Sequence, residues 1–222
     1  GSTYYDDPIY QPWYTQPVGH STILIDGNHQ SQRVGDLLWH IDGFDDYAYL
    51  GQRLDGRRAA FASGDIGRLY WGKVKSLKRN VLYLKPRTLL MLDTVVPGER
   101  DADVTLLYQT LKLKDIKAGP EASTITKDNN TLHIRHLAPQ FMKAEAAETP
   151  HYLFTLRNEP NLEREGMLTV TARTAGVPLV MANLLTTTTG GAPGFTATPG
   201  QGCMSGVAEG VLDREMVREE RH

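Results

Sequence analysis

His20 follows Gly19, precedes Ser21-Thr22 and stands directly before the aliphatic run 22–26 (TILID). A histidine at the mouth of a strand can ligate a metal, act as a general base or pair with a carboxylate, and it can equally be a plain surface or core residue. Tyr4, Tyr5, Tyr10, Trp13 and Tyr14 lie just upstream. Aromatic faces stack on sugar rings, and tyrosine hydroxyls hydrogen-bond to sugar hydroxyls. The same rings can instead pack against the edge of a sheet. Tyr10, Trp13 and Tyr14, as the aromatics nearest His20, are candidate substrate-binding residues.

Other chemistry-bearing residues are less organised. His29 reads as a loop residue after Asp26-Gly27, and His40 lies within DLLWHID. His133 and His136 are three apart, so on a strand they point to opposite faces and make no metal pair. Cys203 is the single cysteine, which excludes an intramolecular disulfide and a cysteine-rich zinc site. HExxH, CxxC, GxSxG and GxxxxGK[ST] patterns are absent. Asp6-Asp7 and Asp45-Asp46 could bind calcium or stand as solvated loop acids. Arg68, Lys73, Lys75, Lys78, Arg79, Lys85 and Arg87 form a run without an acid between Gly67 and Leu92. That strip is either the solvated outer face of a sheet or a groove wall for a polyanion. Lys73 and Lys75, with Val74 opposite, are its candidate substrate-binding members.

These residues must be positioned by strands. Short β-branched runs recur at 22–26, 47–54, 69–77, 81–84, 88–96, 103–110, 131–137, 151–157, 167–173 and 178–186, punctuated by glycine and proline. Pro86 divides 81–84 from 88–96 and predicts two strands with a tight connection. The pattern predicts an all-β fold, an antiparallel two-sheet sandwich occupying 1–222 as one domain. Helix is expected only over 209–221, with two further turns conceivable at 141–148. The Thr/Gly/Pro-rich stretch 186–202 reads as a flexible loop.

Composition bounds the function. The 222 residues are 40% hydrophobic and 23% charged, ordinary values for a folded domain. A net charge of −2 argues against general nucleic-acid binding. No run of 18 apolar residues suggests a membrane span. Gly1-Ser2 reads as a cloning remnant, which predicts a piece of a longer protein.

The segment TYYDDPIYQPWYTQPVGHSTILIDGNHQ (3–30) resembles the heparinase II/III-like family. There a tyrosine-rich stretch leads to a Gly-His-Asn-Thr-type motif, an aliphatic strand ending in Asp-Gly, and a Gln. Gly19, His20, Ser21, Thr22, Asp26, Gly27 and Gln30 match, with Ser21 in place of the usual Asn. A second block, KSLKRNVLYLKPRTLLMLDTVV (75–96), is similar to the family's Arg-aliphatic strand, Pro break and second strand ending in Asp. Arg79, Val81, Leu82, Leu84, Pro86 and Asp93 match there.

The resemblance implies the C-terminal β-sandwich of a bacterial polysaccharide lyase. Such an enzyme cleaves uronate-containing chains, such as heparan sulfate or alginate, by β-elimination. It further implies an N-terminal α/α-toroid as partner domain, which carries the catalytic Tyr, Asn and His and is absent from this chain, so the isolated chain is expected to be inactive. His20 becomes a substrate-facing catalytic residue or a ligand of a divalent, zinc-like metal whose other ligands lie upstream. An acidic polysaccharide is the implied partner, and a periplasmic or secreted location is implied with it. The alternative is a non-catalytic module that binds acidic glycans or orients another domain.

Overall fold

The computed structural model describes residues 10–14, 16–27, 48–70, 72–152, 164–189, 194–200 and 203–209. Its strands are β1 (Ile23–Ile25), β2 (Tyr49–Asp55), β3 (Ala59–Asp65), β4 (Val74–Leu84), β5 (Thr88–Pro97), β6 (Asp103–Thr110) and β7 (Ile116–Lys117). They continue as β8 (Ala122–Lys127), β9 (Asn130–Ala138), β10 (Lys143–Tyr152), β11 (Arg164–Arg173), β12 (Leu179–Thr189), β13 (Gly194–Gly200) and β14 (Cys203–Glu209). One sheet runs β1-β6-β11-β10 and the other β2-β3-β4-β5-β12-β9-β8-β7, all antiparallel. β13 and β14 form a separate hairpin. No described helix is long and apolar enough to cross a membrane.

Period-two alternation explains the core. Directly opposed residues of an antiparallel pair share a face. In the small sheet, Val104, Leu106 and Tyr108 of β6 stand opposite Ala172, Val170 and Leu168 of β11. Ile23 and Ile25 of β1 extend two of those rows. In the large sheet, Leu77 lies opposite Val95, and Val95 opposite Leu179. These side chains, with Met181, Ile134 and Tyr70, are the buried layer between the sheets.

The expected antiparallel two-sheet sandwich is what forms, and β4 and β5 flank the Pro86 turn as the sequence implied. The Tyr83 hydroxyl closes that turn on the Pro86 carbonyl at 2.6 Å.

Three local expectations are corrected. Residues 69–70 belong to a 3-10 turn, Gly67–Tyr70, and the strand starts only at Val74. A bulge between Val74 and Ser76 then lets both Val74 and Leu77 face inward. Residues 143–148 are strand, not helix. Ala, Glu and Lys favour a helix there, but pairing of Ala144 with Val170 and Ala146 with Leu168 overrides that preference. Within 186–202, Thr186–Thr189 complete β12 and 194–200 form β13. The helix expected over 209–221 lies outside the described residues, apart from Glu209, which ends β14.

Candidate functional site around His20

The chain reaches His20 through two tight turns. A π-helical turn covers Tyr10–Tyr14 and a 3-10 turn Pro17–Gly19. Gln16 N donates to Trp13 O, Gly19 N to Gln16 O and His20 N to Pro17 O, at 3.0–3.1 Å. Gly19 is dictated by sterics, because a Cβ there would lie 2.3 Å from the Trp13 carbonyl oxygen. The next residues are anchored to β6. Gln109 N donates to Ser21 Oγ at 3.0 Å, Gln109 Nε2 to Val18 O at 2.8 Å, and Leu107 N to Thr22 O at 2.8 Å. After β1, Asp26 Oδ1 accepts from Asp103 N at 2.9 Å, and Asp26 and Gly27 both take positive φ to turn the chain.

Most residues of the Gly-His-Ser-Thr…Asp-Gly motif therefore have structural work. His20 differs, because its ring is exposed. Its Nε2 lies 3.0 Å from the Tyr14 carbonyl oxygen. A carbonyl only accepts, so in the neutral ring Nε2 carries the proton and Nδ1 is the basic nitrogen. An exposed imidazole on a well-anchored turn can accept a proton, ligate a metal or, once charged, meet a carboxylate.

The other sequence candidates divide around it. Tyr10 and Tyr14 are half-buried, and Tyr14 touches His20 through its backbone carbonyl. Trp13 is buried, only 8% exposed, so its indole packs inside the protein and offers no open face. Lys73 is half-buried and lines an open pocket of about 270 Å³ with Asp26, Gly72, Glu99 and Arg100. That pocket lies past the end of β1 opposite to His20, with the three-residue strand Ile23–Ile25 between them. At about 3.3 Å per residue, the structure does not bring Lys73 and His20 into one site. Lys75 is exposed on β4.

The basic strip is not one surface. Lys85 Nζ pairs with Asp55 at 2.7 Å and also bonds the Gly56 carbonyl. Arg79 turns inward to Asp93, with Nε–Oδ1 at 2.7 Å and Nη2–Oδ2 at 3.1 Å. Asp93 is fully buried, and burial pushes its carboxyl up although Arg79 pulls it down. Tyr108, from the facing sheet, is raised far above the usual phenol range by burial, and its hydroxyl has no hydrogen-bond partner among the described residues.

Sequence reasoning missed a second polar cluster. His136 Nδ1 lies 2.7 Å from Asn183 Oδ1, and its Nε2 lies 3.0 Å from Ser123 Oγ. Ser123 and Asn183 are buried, so the cluster ties β8, β9 and β12 together without an open nucleophile. His133 bonds Thr188 Oγ1 at 2.8 Å on the opposite face, as the strand parity required. Burial lowers the pKa of His136, and bonding to Asn183 only partly offsets this. The folded state thus favours the neutral ring. That stability is present above the unfolded pKa of about 6.5 and is lost as pH falls through it towards the lower folded value. Thermal melts should show stability falling below about pH 6.5, with a shallower slope for His136→Gln than for the unmodified chain.

Among the described residues no three His, Cys, Asp or Glu side chains converge to hold a metal. His20 supplies one ligand at most, so the described residues do not by themselves fit a metal centre.

No protein-family model matches the chain, and no curated protein matches it. Solved structures do. Heparan sulfate lyase HepC from Pedobacter heparinus superposes with a TM-score of 0.69 at 13% identity, covering 94% of this chain and 33% of that one. Heparinase III gives 0.63 at 11% identity, covering 89% of this chain and 28% of that one. The chain has the fold of one segment of these lyases. It spans about a third of their length. In this sandwich, the turn bearing His20 and the Arg79–Asp93 pair are the two places where the sequence motifs become geometry.

Proposed function

We propose that the chain is the C-terminal β-sandwich of a heparinase II/III-like polysaccharide lyase that cleaves uronate-containing polysaccharides by β-elimination. The observation that carries this reading is the fold match over 94% of the chain to one third of a heparan sulfate lyase. The exposed, anchored His20 supports it.

In β-elimination the uronate carboxylate is first neutralised, which makes the C5 proton removable. A base takes that proton, the C4–O bond breaks as the C4=C5 double bond forms, and an acid protonates the departing oxygen. In this reading an α/α-toroid of the same protein supplies a Tyr, an Asn and a further His. Once charged, His20 faces the sugar from the sandwich side, and its Nδ1–H donates to the carboxylate and neutralises it. Tyr14 adjoins His20 through its backbone carbonyl, while the Tyr14 hydroxyl is buried. Lys75 and the Lys73 pocket, displaced from His20, serve more distant acidic sugars. A divalent metal at His20 would need ligands from outside the described residues, and no step above uses one. A periplasmic or secreted location belongs to this reading through the family resemblance alone.

Absorbance of the unsaturated uronate product tests the proposal. The full-length protein should turn over heparan sulfate, alginate or a related substrate, and this chain alone should not. One preorganised charge stabiliser is worth about 100-fold and acid–base catalysis another ~100- to 10,000-fold, so a lone sandwich falls below detection. Turnover by the chain alone would move the site into the sandwich. Glycan binding by a full-length protein that lacks lyase activity would replace the proposal with a binding module.

A further inference from the structure

Gln109 stands on the outer face of the four-stranded sheet. Alternation along β6 turns Val104, Leu106 and Tyr108 into the core, so the side chain of Gln109 leaves the strand on the opposite face. Its cross-strand neighbour there is Met167 of β11.

Three hydrogen bonds leave this one residue. The backbone N–H donates to Ser21 Oγ at 3.0 Å, and the side-chain Nε2 donates to Val18 O at 2.8 Å and to Met167 Sδ at 3.1 Å. Val18 and Ser21 bracket His20 in the chain, two residues before it and one after. Inside the turn, Gly19 N and His20 N bond only to the nearby carbonyls of Gln16 and Pro17, which shapes the turn without fixing where it sits on the sheet. Gln109 supplies that second constraint. Its backbone bond is open to any residue with an N–H, but its side-chain bond is not. A carbonyl oxygen only accepts, so the amide must turn its NH2 towards Val18, and the second hydrogen of the same NH2 serves the sulfur. Glutamate has the shape without the donor, and leucine has the bulk without it.

We propose that Gln109 is the positioning residue for His20: its side-chain amide pins Val18 to β6 and so fixes where the imidazole stands on the sandwich. Gln109 touches no reacting atom in this role. The effect on rate rests on the lyase reading, whereas the clamp itself can be read without substrate.

Amide hydrogen exchange reads the clamp in this chain. Gln109→Leu should raise exchange at Gly19 and His20 by about fivefold or more, the equivalent of one ordinary hydrogen bond, while amides at the centre of β6 and β11 keep their protection. Gln109→Glu should do the same, because near neutral pH its carboxylate is ionised and meets the Val18 carbonyl without a proton. Both variants should melt within about 4 °C of the unmodified chain. Met167→Leu keeps the Val18 bond and loses a weak sulfur acceptor, so it should change exchange by less than about threefold. In the full-length protein, Gln109→Leu should lower kcat on a uronate polysaccharide by about 10- to 100-fold and move KM by less than about threefold, since a displaced catalytic group costs rate more than binding. Unchanged exchange at Gly19 and His20 overturns the proposal. So does a Gln109→Glu variant that behaves as the unmodified chain, a Met167→Leu effect as large as that of Gln109→Leu, or a kinetic loss confined to KM. A melting loss well beyond that range would make Gln109 a structural residue and overturn it as well. If the unmodified full-length protein turns over no uronate polysaccharide, the lyase reading fails, and the exchange data alone decide whether Gln109 holds the turn.

Discussion

His20→Ala in the full-length protein is expected to lower kcat/KM on a uronate polysaccharide by about 100-fold or more while leaving the sandwich folded. The two parts of that expectation rest on different observations. The loss of rate follows from the proposed role, since an imidazole that meets the carboxylate as charge develops acts on the transition state more than on bound substrate. The retained fold follows from exposure. His20 makes one hydrogen bond, to the Tyr14 carbonyl, at the surface, and such a bond is worth about 1 kcal/mol. The turn itself is held by Gly19, Ser21 and the Gln109 side chain. His20→Gln separates the functions further. It can keep the bond to Tyr14 but has no basic nitrogen, so a rate as low as that of His20→Ala would assign the effect to Nδ1. Full activity of His20→Ala would remove His20 from the site. Loss of thermal stability matching the loss of rate would make it a structural residue.

How much of this could be read from the residues depends on which force places each one. Alternation of apolar side chains fixes strand faces, and 103–110 and 167–173 came out where that pattern put them. β3 (AAFASGD) and β8 (ASTITK) were not expected. Small and polar residues give little alternation, and these strands exist because their neighbours offer a ladder to join. The reverse error occurred at 143–148, where local helix preference lost to pairing with β11. At the site, the sequence marked His20 but could not show that Trp13 turns inward, because burial of an aromatic is decided by what packs over it. Arg79 is the instructive case. Counting charges placed it on a solvated face, yet Leu77 and Val81 on one strand, and Met91 and Val95 on the other, set the parity that points Arg79 and Asp93 inward and opposite each other. Alternation carried that signal and composition hid it.

The Arg79–Asp93 pair should be costly to break and nearly free to replace. Asp93 is fully buried and Arg79 keeps a quarter of its side chain in water. Burial pushes the Asp93 carboxyl up despite two hydrogen bonds from the guanidinium, so the attraction does not fully offset desolvation. Removing one partner of a buried pair costs about 3–5 kcal/mol because the other charge stays behind. The two single changes should differ. Arg79→Met strands a carboxylate with no route to water, and the cost is limited only by its taking up a proton. Asp93→Leu leaves a guanidinium that can swing towards solvent from its partly exposed position, so its cost should lie at or below the lower end of that range. Arg79→Met with Asp93→Leu removes both charges and fills the space between Leu77–Val95 and Val81–Met91, the rows on either side. That double variant should melt in urea close to the unmodified chain or above it. The measured coupling between the sites should then reach several kcal/mol. A double variant as unstable as the sum of the singles would mean the ion pair is not the interaction being lost. The positions would then matter for their packing against Tyr108 and Met181 rather than for their charge.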